Sequence, residues 1–133
     1  MANYIYSTIR IVGDKDYLDR FRQAIDACTE CYANFVDFDE YAWAPNVMNY
    51  MHINTKKIEK LIKYGPQTFL YDPRFDEDGR NLIIEEECRW ERSELLDIVK
   101  SESGCLIKAY ELLYSGLLPP EYGNIKERKK YDC

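Results

Sequence analysis

Apolar and polar side chains alternate from the start of the chain. Ile5, Ser7, Ile9 and Ile11 fall on one side, and Tyr4, Tyr6, Thr8 and Arg10 on the other. A period of two built from β-branched and aromatic residues predicts a strand over 4–12 with one buried face. Gly13 breaks the strand, and Asp14 is placed to cap a helix. From residue 15 the period lengthens. Tyr17, Leu18, Phe21, Ala24, Ile25 and Cys28 recur at spacings of three and four, with Lys15, Asp19, Arg20, Arg22, Gln23 and Asp26 between them. That spacing predicts an amphipathic helix over 15–28.

The middle of the chain is less regular. Phe35, Val36 and Phe38 suggest a short strand within 34–41, and Pro45 suits the first turn of a helix running through Met48 and Met51. A further helix is expected over 55–64, with Ile58, Leu61 and Ile62 inward, four lysines outward, and Gly65-Pro66 to end it. Phe69, Leu70 and Tyr71 then lead towards Asp78-Gly79, a pair that favours a positive-φ turn, and into a strand over 82–88. In that strand Leu82, Ile84, Glu86 and Cys88 share one face. Ser93 or Glu94 opens a helix carrying Leu95, Leu96, Ile98 and Val99, which Gly104 closes. The run over 105–114 fits either a helix or a strand. Its flanking glycines and its Ile, Leu and Tyr content favour the strand. The order is β-α-β, a helical insertion at about 45–65, then β-α-β. It predicts an α+β domain over 1–118, a ferredoxin-like split β-α-β with an antiparallel sheet and helices on one face, followed by a polar tail over 119–133.

The chain has 133 residues, 46% of them hydrophobic, which suits one globular domain. No apolar run approaches the ~20 residues that span a bilayer. The opening residues lack the zones of a secretory signal, so a cytoplasmic protein is expected. The net charge is −6, and it is not evenly spread. Between Asp72 and Glu102 eleven acidic residues stand against five basic ones, so this segment alone carries −6. That sign disfavours direct binding of nucleic acid. It suits either a solvated face or a surface that meets a basic partner.

Candidate chemistry is sparse. Five cysteines are an odd number, and reduced thiols are expected. Cys28 and Cys31 form a C-x-x-C, the only metal- or redox-like spacing present, with Cys88 and Cys105 as further candidates only where the fold brings them close; but the pair falls at the C-terminal end of a predicted helix, where the helix dipole opposes thiolate formation. A zinc site needs two further ligands, which no second motif supplies. Asp76, Asp78, Gly79 and Glu85 match four positions of a calcium-binding loop, yet Arg74 occupies its first ligand position and rules it out. His52 stands alone and suits a surface or capping role. Glu86 is the carboxylate expected to be partly buried, while Glu85 and Glu87 are expected in solvent. No glycine-rich phosphate loop is present, and no cofactor is implied. The twelve tyrosines exceed what a small core hides, so a protein-binding face is expected among them.

The start Met1-Ala2-Asn3-Tyr4, the run Ile9-Arg10-Ile11-Val12-Gly13-Asp14, the helix over 18–25, and the later order Trp90, helix 94–100, strand 106–114, Gly116 resemble the Api-like (YubB-type) group of small phage and plasmid proteins. In place of that group's Asn-Trp-Gly-Thr-Lys-Trp signature the chain has Lys63-Tyr64-Gly65-Pro66 and the residues after it. The resemblance implies a ferredoxin-like domain and a mobile-element origin, and assigns no functional residues. Together these features lead to the expectation of a noncatalytic accessory protein. It would bind a host or phage protein with a basic surface through Asp76, Glu77, Asp78, Glu85, Glu87, Tyr41, Trp43 and Tyr71, in one version blocking a nucleic-acid-binding or defence protein. Two alternatives remain open. One is a small metal- or ligand-dependent enzyme gathering Cys28, Cys31, His52 and Glu86. The other is a self-assembling component, such as a homodimer formed through a sheet edge or an aromatic face.

Overall fold

The computed structural model describes residues 4–33, 38–53, 56, 59, 68–89, 95–116 and 130–132. The expected strand–helix opening is present. Strand β1 (Tyr4–Gly13) runs into helix α1 (Lys15–Cys28), and the Asp14 carboxylate accepts the Tyr17 N–H at 3.1 Å as an N-cap. Tyr17, Leu18, Phe21, Ala24 and Ile25 are buried, as their spacing requires, and Cys28 at the edge of the stripe is half-buried. The helix ends without glycine or proline. Thr29 is extended, and its hydroxyl donates to the Ile25 carbonyl at 2.7 Å, satisfying one of the last open acceptors.

The chain therefore passes straight into strand β2 (Thr29–Ala33), which pairs with β3 (Phe38–Trp43). Pattern reading missed β2; of the strand expected within 34–41, residues 38–41 fall in β3, and Phe35 and Val36 lie outside the described residues. Helix α2 (Ala44–Tyr50) has Pro45 in its first turn, where a missing N–H costs nothing. The helix expected over 55–64 falls almost wholly outside the described residues. Strands β4 (Thr68–Phe75) and β5 (Leu82–Arg89), helix α3 (Leu95–Glu102), and strands β6 (Ile107–Gly116) and β7 (Lys130–Asp132) complete the described elements.

The strands form one open sheet in the order β2-β3-β4-β5-β1-β6-β7, with every neighbouring pair antiparallel. The protein is thus α+β. Three features differ from expectation. The sheet is wider than four strands, the insertion before β4 contains the β2–β3 hairpin as well as α2, and residues 130–132 of the polar tail add a strand to β6. The described helices bury their apolar stripes against one face, where Ile9, Ile11, Leu70, Leu82, Ile84, Tyr110 and Leu112 meet Leu18, Phe21, Ile25, Leu95 and Val99. Each such aliphatic or phenyl side chain contributes roughly 1.5–3 kcal/mol on leaving water. Tyr110 keeps its hydroxyl satisfied by donating to Asp97 of α3 at 3.0 Å.

Two turns are set by local chemistry, one between strands and one at the end of a helix. The β4–β5 hairpin closes through Asp76, whose N–H donates to the Asn81 carbonyl at 2.9 Å, while Gly79 takes φ +69° as its Asp-Gly pair predicts. At the end of α2, the Ile53 N–H donates to the Met48 carbonyl and the His52 N–H to the Asn49 carbonyl, at 3.0 and 3.1 Å. This is a Schellman closure with His52, at φ +59°, in the left-handed position usually held by glycine. The expected capping role of His52 is its backbone role here.

Candidate functional site

Strand alternation puts Tyr6, Thr8 and Arg10 of β1 on the sheet face turned away from the helices. Register then fixes which side chains join them. Glu85 pairs across to Thr8 on one side and to Tyr71 on the other, and Glu87 pairs to Tyr6 and to Phe69. Phe69 in turn pairs with Trp43 of β3. Tyr41, two residues before Trp43, falls on the same face, its ring 5.3 Å from Tyr71 and 5.5 Å from Phe69 between centroids. The edge-on and tilted arrangements match the preferred geometry of aromatic pairs. Five of the sequence-predicted contact residues, Tyr41, Trp43, Tyr71, Glu85 and Glu87, therefore share one face in two adjacent rows, although three strands supply them.

Two guanidiniums, Arg10 and Arg74, meet three of the carboxylates on or beside this face. Glu85 accepts from the Thr8 hydroxyl at 3.0 Å, and the Arg74 guanidinium lies 3.6 Å from its other oxygen. Arg74 can reach because Asp72 and Pro73 form a bulge in β4, with Asp72 at φ +51°. The same guanidinium donates to the Asp72 carbonyl and carboxylate at 2.9 and 3.1 Å. Arg10 donates to Glu111, its direct cross-strand neighbour on β6. Glu87 is only 5% exposed, which corrects the expectation that it is in solvent; it lies between the rings of Phe69 and Tyr6 in the register and is engaged by other groups. Tyr41, Trp43 and Tyr71 are half-buried.

The remaining predicted contact residues are in the hairpin turn. Asp76 is taken up by the fold: its carboxylate accepts the Arg80 and Asn81 N–H groups and the Asn81 side-chain amide at 3.2, 3.3 and 2.7 Å. Desolvation works against its charge, but these hydrogen bonds and the Arg10 charge outweigh it and hold the carboxyl below its ordinary range. Glu77 and Asp78 at the tip are exposed.

The other candidates do not assemble. Cys28 ends α1 and Cys31 lies exposed on β2; both are free thiols, and burial, reinforced by Glu30, pushes Cys28 up in pKa. Among the described residues no three His, Cys, Asp or Glu side chains form a metal-holding group. Glu86 is buried, as expected, on the helix side of β5, where Cys88 donates to it at 3.3 Å and Thr68 lies 3.8 Å from the Cys88 sulfur. His52 is far along the chain in the α2 turn, facing a different cleft. The thiols of Cys28, Cys31 and Cys88 are free. Among the described residues no helix is long and apolar enough to cross a membrane.

Pattern reading overlooked Phe69, Arg10, Arg74 and Glu111 on this face. The alternation of β1 already placed Arg10 beside Tyr6 and Thr8, and the pairing register was the missing information. Comparison with known proteins finds no matching family model, no matching curated protein and no matching solved structure.

Proposed function

We propose that this is a noncatalytic binding protein that engages another protein through the sheet face opposite α1, α2 and α3, with the β4–β5 hairpin tip at its margin. The observation carrying this reading is the convergence of Tyr41, Trp43, Phe69 and Tyr71 from β3 and β4 on that face. Aromatic side chains provide large contact area with few rotamers to freeze, which suits them to interface centres. Exposed Glu77 and Asp78 add a local negative potential and favour a partner with a basic patch. A role as a phage or mobile-element accessory, acting on a host protein, rests on the resemblance of the chain's two ends to the Api-like group. The same resemblance, with the order β4-β5-β1-β6 and the return of α3 across β1, supports reading the central strands as a ferredoxin-like unit into which β2, β3 and α2 are inserted.

The test is affinity capture from host lysate at low and high salt with the wild type, Tyr41→Ala/Tyr71→Ala and Glu77→Gln/Asp78→Asn. A partner held by the wild type, lost with the aromatic variant and retained at reduced salt sensitivity with the hairpin variant supports the reading. Capture unchanged by the aromatic substitutions refutes it.

A further inference from the structure

On the helix side, well away from the aromatic face, a cleft of about 490 Å³ opens between α1 and the turn that ends α2. Arg20 and Gln23, three residues apart on α1, form one wall; Asn49, Tyr50, Met51 and His52 form the other. Its size lies within the range of small-molecule sites. Met51 is 7% exposed and forms an apolar floor, whereas Tyr50 is 52% exposed.

Among the described residues the lining carries one permanent positive charge and no carboxylate, in a chain of net charge −6. Arg10, Arg22 and Arg74 are each paired with a carboxylate, at Glu111, at Asp26, and at Asp72 and Glu85. Among the described residues Arg20 makes no such pair, although Asp16 lies one turn before it on α1 and Asp19 beside it. Its five guanidinium donors are therefore available to the cleft. The Gln23 and Asn49 amides add neutral donors. His52 contributes a ring from a backbone position where glycine is the unstrained choice, at φ +59°. Non-glycine residues held in that region concentrate at ligand sites, because the side chain itself is then what the position retains.

We propose that this cleft binds a small planar anion: an aromatic or heteroaromatic ring bearing a carboxylate or phosphate. The anionic group is received by the Arg20 guanidinium with the Gln23 and Asn49 amides, and the ring lies against Tyr50 and His52 over Met51. A charge-assisted, forked contact with Arg20 fixes the anion, and stacking selects the ring.

The test is an amide-shift titration by NMR with phenyl phosphate, benzoate, inorganic phosphate and benzamidine, on the full chain. Phenyl phosphate or benzoate is expected to give saturable shifts confined to Arg20, Gln23 and residues 49–52, and their relative affinities identify the preferred anionic group. Inorganic phosphate, lacking the ring, and benzamidine, carrying the opposite charge, are expected to bind at least about tenfold more weakly. Arg20→Gln and Tyr50→Ala change exposed side chains, and preserved amide dispersion elsewhere verifies their folds. Each is expected to weaken the ring-anion probes by about tenfold or more. Absence of saturable shifts at this cleft, equal binding of benzamidine, or affinity untouched by Arg20→Gln overturns the proposal. None of these outcomes bears on the sheet face.

Discussion

Replacing Gly13 by alanine isolates one close approach between backbones. Gly13 ends β1 where its pairing with β6 shifts register, and a Cβ built there runs into the Leu106 carbonyl oxygen, with the Ile107 Cα 3.0 Å away. Both obstacles are main chain, so no side-chain rotation relieves them. The start of β6 must move, and that carbonyl also accepts the Asp14 N–H at 2.6 Å, the bond that joins the α1 cap to β6. Overpacking of this kind costs about 1–3 kcal/mol, and loss of the hydrogen bond about 1 more. The expected total is about 2–4 kcal/mol, or a Tm lowered by roughly 7–14 °C for a chain of this length. Gly13 has no positive φ, unlike Gly79 and Gly104. Without the clash, alanine would restrict the unfolded chain and stabilise by about 0.4–1 kcal/mol. The two readings therefore differ in sign. Urea denaturation with an unchanged m-value measures the difference, and faster hydrogen exchange at the Asp14 amide localises it. A neutral or stabilised Gly13→Ala variant refutes the account.

At the end of α2, His52→Gly removes a left-handed conformation that costs a non-glycine residue roughly 1–2 kcal/mol, partly offset by the greater freedom of unfolded glycine; a net gain of about 1 kcal/mol in denaturant stability is expected. In the β4–β5 turn, Asp76 has a lowered pKa, so its contribution is fully present above the unfolded carboxylate value and is lost as pH falls through the folded one. Asp76→Asn is therefore expected to lose less stability than the wild type as pH falls below the ordinary carboxylate range, measured by denaturant melts at a series of acid pH values. Thiol labelling at mildly alkaline pH is expected to modify exposed Cys31 first and half-buried Cys28 later, its thiolate suppressed by burial and by Glu30, with Cys88 protected until unfolding; mass spectrometry of peptides reports the order.

The elements that could be read from the chain are those whose periodicity belongs to a single element. β1, α1, the buried stripe of α3 and the choice of strand for β6 follow from apolar spacing, and Asp14, Pro45 and Gly79 act as local chemistry requires. β2 was hidden because α1 ends on Thr29, which caps with its hydroxyl instead of breaking the chain with glycine or proline. β7 was hidden because three polar-flanked residues acquire strand geometry only by pairing with β6. For the candidate face, single-strand alternation separated Glu86 from its neighbours correctly. It could not show that Glu87 becomes buried between β1 and β4, because that depends on register across three strands. The Arg74 contacts depend on a bulge that Asp72 and Pro73 create, which the sequence marks only as a break.

Placement of the carboxylates changes what the acidic segment means. Asp72 and Glu85 are answered by Arg74, Asp76 by the turn it closes, and Asp97 by Tyr110, while Glu86 and Glu87 are buried. Arg74 shares one positive charge between Asp72 and Glu85, and the hydrogen bonds at Asp76 and Asp97 steady those carboxylates without cancelling their charge. Glu77 and Asp78 stand at the hairpin tip, exposed and, among the described residues, outside any hydrogen bond or ion pair. The segment's carboxylates are thus spread over several local structures, so the acidic count alone is poor support for capture of a basic groove. The aromatic rows remain, and their contact energy is nearly independent of ionic strength because it comes from buried area and ring packing. Binding through this face should accordingly owe its affinity to Tyr41, Trp43 and Tyr71 and only its approach to the hairpin, the reverse of the weighting that charge along the chain suggests.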